Sequence, residues 1–280
     1  MSIKLIALDV DGTLVNSRQE VTPATCAALQ AAADHGIHVV LATGRMLSEC
    51  DRLLAALPMI HFAITCTGAQ TYDLSTGQSI ARHSLTAPQL RQLCSLLWDL
   101  DVMLQIFDDH DGLMHNDARL LAEAERFCSP ELAQAIRGCH AAEEDLQAYV
   151  EAYEGPTNKL HMFFGSRADK ETALARLDGL AFEMMESQFT DLEIMAPGVD
   201  KGTGLQDLNQ YLQLSCDQIM AIGDGRNDLG MLRLAGLPVA MGNSPDDVKE
   251  LARWVTEDND HNGVAAAVWR MLKEDGYVSD

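Results

Sequence analysis

Positive charge is scarce in this chain of 280 residues. Its 20 lysines and arginines stand against 42 acids, for a formal charge of -22. Such a surface repels nucleic acid and anionic membranes, so neither is an expected partner. It also repels a phosphorylated ligand at long range. Any phosphate site must therefore gather positive charge locally, from a metal, Lys, Arg and backbone N–H groups. Cysteine pairing is lacking as well. The seven cysteines are an odd count with no C-x-x-C spacing, which argues against a disulfide framework or structural zinc and for a reducing compartment. The nine histidines contain no H-E-x-x-H pattern, and His161, inside an apolar run, reads as a core or pocket residue. There is no signal peptide, spanning apolar segment, internal repeat or low-complexity stretch, and a cytoplasmic protein is expected. Hydrophobic residues make up 47%, enough for one large or two modest globular domains.

Against these absences stands the stretch from Leu5 to Leu14. The apolar run Ile3–Val10 reads as a buried strand ending in Asp9 and Asp11. Residues i and i+2 of an extended chain point the same way, so both carboxylates are expected to face one space at the carboxyl end of the strand. Gly12 then permits a sharp turn. Two adjacent carboxylates repel, and a divalent cation such as Mg²⁺ resolves the repulsion in an all-oxygen site. The competing reading is that both acids merely cap the turn.

Strand and helix patterns alternate from there. A helix over Pro23–His35, N-capped by Thr22, leads to the strand Ile37–Ala42 and the polar turn Thr43-Gly44-Arg45. A helix over Met46–Leu57 and a strand at Phe62–Cys66 follow. This order implies parallel strands with right-handed crossovers and a ligand site at their carboxyl ends. From 84 to 191 the texture changes to paired short strands with helices between them, a separate α+β unit. Within it, Asp108-Asp109-His110-Asp111-Gly112 reads as a hairpin turn, Glu143-Glu144-Asp145 as a solvated acidic face, and Lys159–Phe164 as a strand. The alternating pattern returns after Pro197. The reading is one α/β core interrupted by an inserted domain: core 1–83 and 192–280, insertion 84–191.

The second segment carries its own signal. Gly223-Asp224-Gly225-Arg226-Asn227-Asp228 follows the apolar strand Gln218–Ile222 and opens a helix, which places a third carboxylate, Asp224, at a strand end. Asn227 and Asp228 suit a helix cap. Lys201 begins a helix, an electrostatically unfavourable place unless an anion sits there. A surface lysine and a phosphate-binding lysine remain equal readings.

Together these segments resemble the haloacid dehalogenase superfamily of phosphohydrolases. Asp9-Val10-Asp11-Gly12-Thr13 is similar to its first motif, Ala42-Thr43-Gly44-Arg45 to the second, Lys201-Gly202 to the third, and Gly223-Asp224 with Asn227-Asp228 to the fourth. The tail Val239-Ala240-Met241-Gly242-Asn243 resembles the Cof-like subfamily. The resemblance implies a Rossmann-like, doubly wound parallel-sheet core with an inserted α+β cap that sets substrate specificity. It implies a Mg²⁺-dependent phosphatase for small phosphorylated metabolites, a sugar phosphate or a phosphorylated cofactor, acting as a monomer or homodimer. In that scheme Asp9 is the nucleophile and Asp11 the general acid–base. Mg²⁺ is held by Asp9, the backbone carbonyl of Asp11, and Asp224, with Asp228 supporting the metal waters or Lys201. Val10, Thr43, Gly44, Lys201 and Asn227 hold the phosphate, and the Lys159–Phe164 strand with nearby loops faces the substrate. Arg45 receives no role. A phosphotransferase or phosphomutase, and a non-catalytic phosphometabolite-binding protein, are the competing functions. The chain departs from the family at Thr67-Gly68-Ala69, where Asn usually stands in place of Thr67, so a substrate contact there is not carried over.

Overall fold

A computed structural model describes residues 2–108, 112–138, 140–186 and 190–278. These divide into two compact units. One comprises Met1–Arg82 with Val199–Asp280, the other His83–Gly198.

The first unit is built on a buried strand, β1 (Leu5–Leu8). Its Leu5 and Ala7 pack with one cluster of apolar residues and its Ile6 and Leu8 with another. A strand apolar on both sides needs helices on both sides, and the alternation of strands and helices supplies them. Helices Pro23–Asp34 and Gly263–Glu274 bring buried residues to the cluster of Ile6 and Leu8. Helices Lys201–Leu212 and Leu229–Leu234 do so for the cluster of Leu5 and Ala7. The helix that starts at Pro23 is capped as expected, the Thr22 side chain accepting from the Thr25 backbone N–H. The remaining strands are β2 (His38–Ala42), β3 (Ile60–Thr65), β4 (Gln70–Asp73) and β5 (Gln78–Arg82), then β12 (Ile219–Gly223), β13 (Leu237–Ala240) and β14 (Trp254–Val255). Among the described residues the eight strands form one sheet, in the order β14-β13-β12-β1-β2-β3-β4-β5. Every pairing from β14 to β3 is parallel, while β4 and β5 add antiparallel. This is the expected doubly wound core. The antiparallel pair lacks a continuous apolar run and was not foreseen.

The inserted unit is α+β. Strands β6 (Val102–Asp108), β7 (Met114–Asp117), β8 (His140–Glu143), β9 (Thr157–Phe164), β10 (Glu183–Met185) and β11 (Asp191–Met195) form a second sheet, ordered β10-β11-β9-β6-β7-β8. All its pairings are antiparallel except β7 with β8. Because β11 pairs with β9, the return to the first unit comes at Val199, not at 192. A short apolar strand carries no mark of which sheet will take it. Residues 109–111 of the expected hairpin turn lie outside the described residues, though β6 and β7 do pair as a hairpin requires.

One face of this sheet carries polar groups that are largely buried. His161 on β9 stands opposite Glu193 on β11 and Gln105 on β6. Lys159, 2% exposed, places its Nζ 2.6 Å from Glu193 Oε1 and 4.5 Å from the Phe107 ring centroid. His161 Nε2 lies 3.3 Å from Asp191 Oδ2. The Gln105 amide nitrogen is buried and has no hydrogen-bond partner among the described residues. The acidic run at 143–145 is more than a solvated face. Glu143 Oε1 lies 2.8 Å from His115 Nδ1, and Asp145 caps the helix Leu146–Ala152 through the Ala148 N–H.

Candidate active site

The carboxyl ends of β12, β1, β2 and β3 are neighbours, and the chain leaves each strand through a polar turn. Asp9 follows β1, Thr43 follows β2 and Asp224 follows β12. Residues distant in sequence thus converge at the position where ligands bind in doubly wound sheets. Gly12 is what lets the first and last turns meet. It has φ +78°, and a Cβ there would fall 2.4 Å from Asp224 Oδ2. The Asp224 carboxylate receives hydrogen bonds from the Thr13 hydroxyl (3.0 Å) and the Asn243 side-chain N–H (3.3 Å). Asn243 also donates to the Gly12 carbonyl at 2.9 Å.

Lys201 is fully buried, which removes the surface-lysine reading. Asp200 caps its helix by accepting from the Thr203 N–H. Its Nζ donates to Asp9 Oδ1 at 2.5 Å and to Asp228 Oδ1 at 2.7 Å. Asp228 uses its other oxygen to accept from the Asp224 and Gly225 backbone N–H groups, both at 2.9 Å. Asp228 therefore shapes the turn as a cap should, and it also pairs with the lysine. Burial and the negative charge of Asp228 push the Asp9 carboxyl well above its ordinary pKa, against the opposing pull of Lys201. The same two causes raise Asp224. Burial pushes the Lys201 ammonium down, but Asp228 and Asp9 outweigh it and hold its pKa above the ordinary value.

Asp9, Asp224 and Asp228 each offer a carboxylate oxygen, and these lie within 4.8 Å of one another. Three acids to one ammonium leave surplus negative charge in a largely desolvated place. An anionic, all-oxygen donor set of this kind fits a hard divalent cation.

Asp11 does not join the buried cluster. The strand ends at Leu8 and the chain turns, and the two carboxylates take different partners, Asp9 buried against Lys201 and Asp11 half-exposed. The Asp11 carboxylate is 54% exposed and is gripped by Arg45, Nε to Oδ2 at 2.8 Å and Nη2 to Oδ1 at 2.5 Å. Its side chain is thus not one of the three carboxylates that cluster, whereas its backbone carbonyl, the expected metal contact, belongs to the same turn.

Of the expected phosphate-binding residues, Thr43 is buried, with its Oγ1 accepting from the Arg45 N–H at 3.1 Å, and Gly44 lies in the same turn. The Val10 side chain belongs to the core, and its carbonyl accepts from the Leu14 and Val15 N–H groups, so it anchors the first turn. Asn227 is half-buried on the turn Arg226–Asp228, its Oδ1 close over Gly225. Thr67 and Cys66 hold left-handed backbone at φ 59° and 49°, unusual for non-glycine residues and more so for β-branched Thr. Their N–H groups donate to the Thr43 and Arg45 carbonyls. Gly68 follows with its Cα so close to Asp200 that a Cβ would meet the Asp200 carbonyl oxygen at 1.9 Å. This loop ties the β2 turn to the Lys201 helix. Sequence reasoning assigned no role to Thr13, Gln19, Arg45 or Asn243. Asn243, just past a strand end beside Gly242, carried a turn signal that could have been read.

A profile of haloacid dehalogenase-like hydrolases matches residues 6–268. The 5-amino-6-(5-phospho-D-ribitylamino)uracil phosphatase YcsE of Bacillus subtilis is 30% identical over 268 residues, covering 96% of this chain and 95% of that protein. The HMP-PP phosphatase of Cronobacter sakazakii is 29% identical, covering 86% and 85%. A solved haloacid dehalogenase-like hydrolase from B. subtilis superposes with a TM-score of 0.84 at 28% identity, covering 96% of this chain and 100% of that one. The chain belongs to the haloacid dehalogenase-like hydrolases. This bears out the expected superfamily and, with it, an enzyme of the phosphatase type by which these relatives are named. Among the described residues, no helix is long and apolar enough to cross a membrane.

Proposed function

We propose that this protein is a Mg²⁺-dependent phosphatase that hydrolyses small phosphorylated metabolites through an aspartyl-phosphate on Asp9. The observation that carries the reading is Asp9 itself. It is a 4% exposed carboxylate at the end of the central strand, hydrogen-bonded to a buried lysine and beside two further acids. Asp9 attacks phosphorus, the ester P–O bond breaks, and the departing oxygen takes a proton from Asp11. Asp11, now a carboxylate, accepts a proton from water as that water attacks the aspartyl-phosphate. The acyl phosphate P–O bond breaks and Asp9 is restored. Lys201, the Thr43 hydroxyl, the Asn227 amide and the backbone N–H groups of Val10 and Gly44 hold the phosphoryl oxygens, over which charge spreads. Asp9, Asp224 and the Asp11 carbonyl, with Asp228 in support, would hold Mg²⁺, which would screen the repulsion between nucleophile and phosphate.

Choice among substrates falls to the inserted unit. Its largely buried row of Lys159, His161, Gln105 and Glu193 offers donors and acceptors suited to the hydroxyls of a sugar phosphate or of a phosphorylated cofactor. The relatives named for a phosphoribitylamino-uracil and for HMP-PP support small phosphorylated substrates. The test is phosphate release, with and without Mg²⁺, from an aryl phosphate and a panel of small phosphate esters. Asp9→Asn is expected to lose at least about 10⁴-fold in kcat with the fold intact. Full activity in that variant removes Asp9 as nucleophile. An isomerised sugar phosphate in place of free phosphate would make the protein a mutase.

A further inference from the structure

We propose that Arg45, backed by Gln19, is the positioning residue for Asp11, an assignment that rests on the acid–base role given to Asp11 above. A proton is transferred only within hydrogen-bond reach of the reacting oxygen, so the group that transfers it must be held in place. Asp11 is poorly placed to hold itself. It lies in a turn past the end of β1, with a half-exposed side chain. Arg45 supplies the restraint with two N–H···O bonds, one to each carboxylate oxygen, which fix the plane of the carboxylate as well as its location.

The guanidinium is itself held. Its Nη2 also donates to Gln19 Oε1 at 2.9 Å. Gln19 reaches it from left-handed backbone at φ 59°, a conformation that costs energy for any residue but glycine. Asn16 imposes that turn, its Oδ1 accepting from the Arg18 and Glu20 N–H groups at 2.9 and 3.0 Å. At the base of its side chain, the Arg45 N–H donates to Thr43 Oγ1 and the Arg45 carbonyl accepts from the Cys66 N–H. One side chain thus joins the turn that bears the acid–base to the turn that bears a phosphate ligand. A lysine supplies the charge but not the two-point grip.

The test compares kcat/KM for p-nitrophenyl phosphate and phenyl phosphate, esters whose leaving oxygens differ in their need for a proton. Arg45→Ala is expected to lose about 10–100-fold on phenyl phosphate, distinctly less on p-nitrophenyl phosphate, with KM within about threefold. Arg45→Lys recovers part of the loss, and Gln19→Ala shows the same selectivity at smaller size. In an Asp11→Asn background, Arg45→Ala has no further effect, because Arg45 acts through Asp11. Equal losses on both esters, a full additional loss in the Asp11→Asn background, or a raised KM with unchanged kcat would each overturn the proposal. Wild type that releases no phosphate from either ester with Mg²⁺ overturns the phosphatase reading itself, and this assignment with it.

Discussion

Two buried lysines, Lys201 in the first unit and Lys159 in the inserted one, are held in opposite ways. Lys159 sits within a strand, and its partner Glu193 lies on the neighbouring strand of the same sheet. Lys201 opens a helix, and its partners Asp9 and Asp228 come from turns 192 and 27 residues away in sequence. The strand pair is fixed by sheet register. The helix-start lysine stands where several strands end and the backbone turns aside. Its cluster also holds three acids for one ammonium, with Asp224 completing the set. Burial alone therefore does not distinguish the two lysines. Position at the carboxyl ends of parallel strands, with a surplus of one sign, does.

That contrast breaks down if the two lysines respond alike to removal. Lys201→Met is expected to have the larger effect. It should lower kcat by about 10²–10³-fold through lost phosphoryl stabilisation. It also strips the ammonium from two buried acids, at about 3–5 kcal/mol of stability in the metal-free protein. Urea unfolding and steady-state kinetics measure both. A change confined to Mg²⁺ affinity, with phosphate inhibition intact, would show that Lys201 serves the metal and not the phosphate. Lys159→Met should cost stability of similar order or less, alter the ranking of substrates, and leave Mg²⁺ affinity unchanged. An unaltered ranking would make Lys159 purely structural.

A smaller effect sharpens the point about surplus charge. Asp9 titrates well above an ordinary carboxyl in the folded protein, chiefly because of burial. The folded state then binds this proton more tightly than the unfolded chain does. The charged form costs stability in full above the raised folded-state pKa, and that cost fades as pH falls from there to the ordinary carboxylate value. Metal-free Asp9→Asn, which cannot ionise, is expected to melt a few degrees higher than wild type at neutral pH. The difference should shrink as pH falls from the raised Asp9 pKa toward the ordinary carboxylate value, and be gone below about pH 4. A lower melting temperature at neutral pH would mean that the Lys201 pairing outweighs the burial.

The sequence by itself determined the alternation of apolar strands and amphipathic helices, the parallel core with its insertion, and the strand-end acids Asp9 and Asp224. Each is written in a local signal: an apolar run, a capping residue, a glycine turn. The antiparallel strands β4 and β5 had no such run, and the placement of β11 depended on a partner elsewhere in the chain. Tertiary structure alone decided that Lys201 is buried between Asp9 and Asp228, that Gly12 must lack a side chain to admit Asp224, and that Asp11 pairs with Arg45, which Gln19 holds in turn. Each of these contacts joins residues far apart along the chain. Closing such loops is driven by the burial of the whole core, so no short stretch of sequence records which groups will meet.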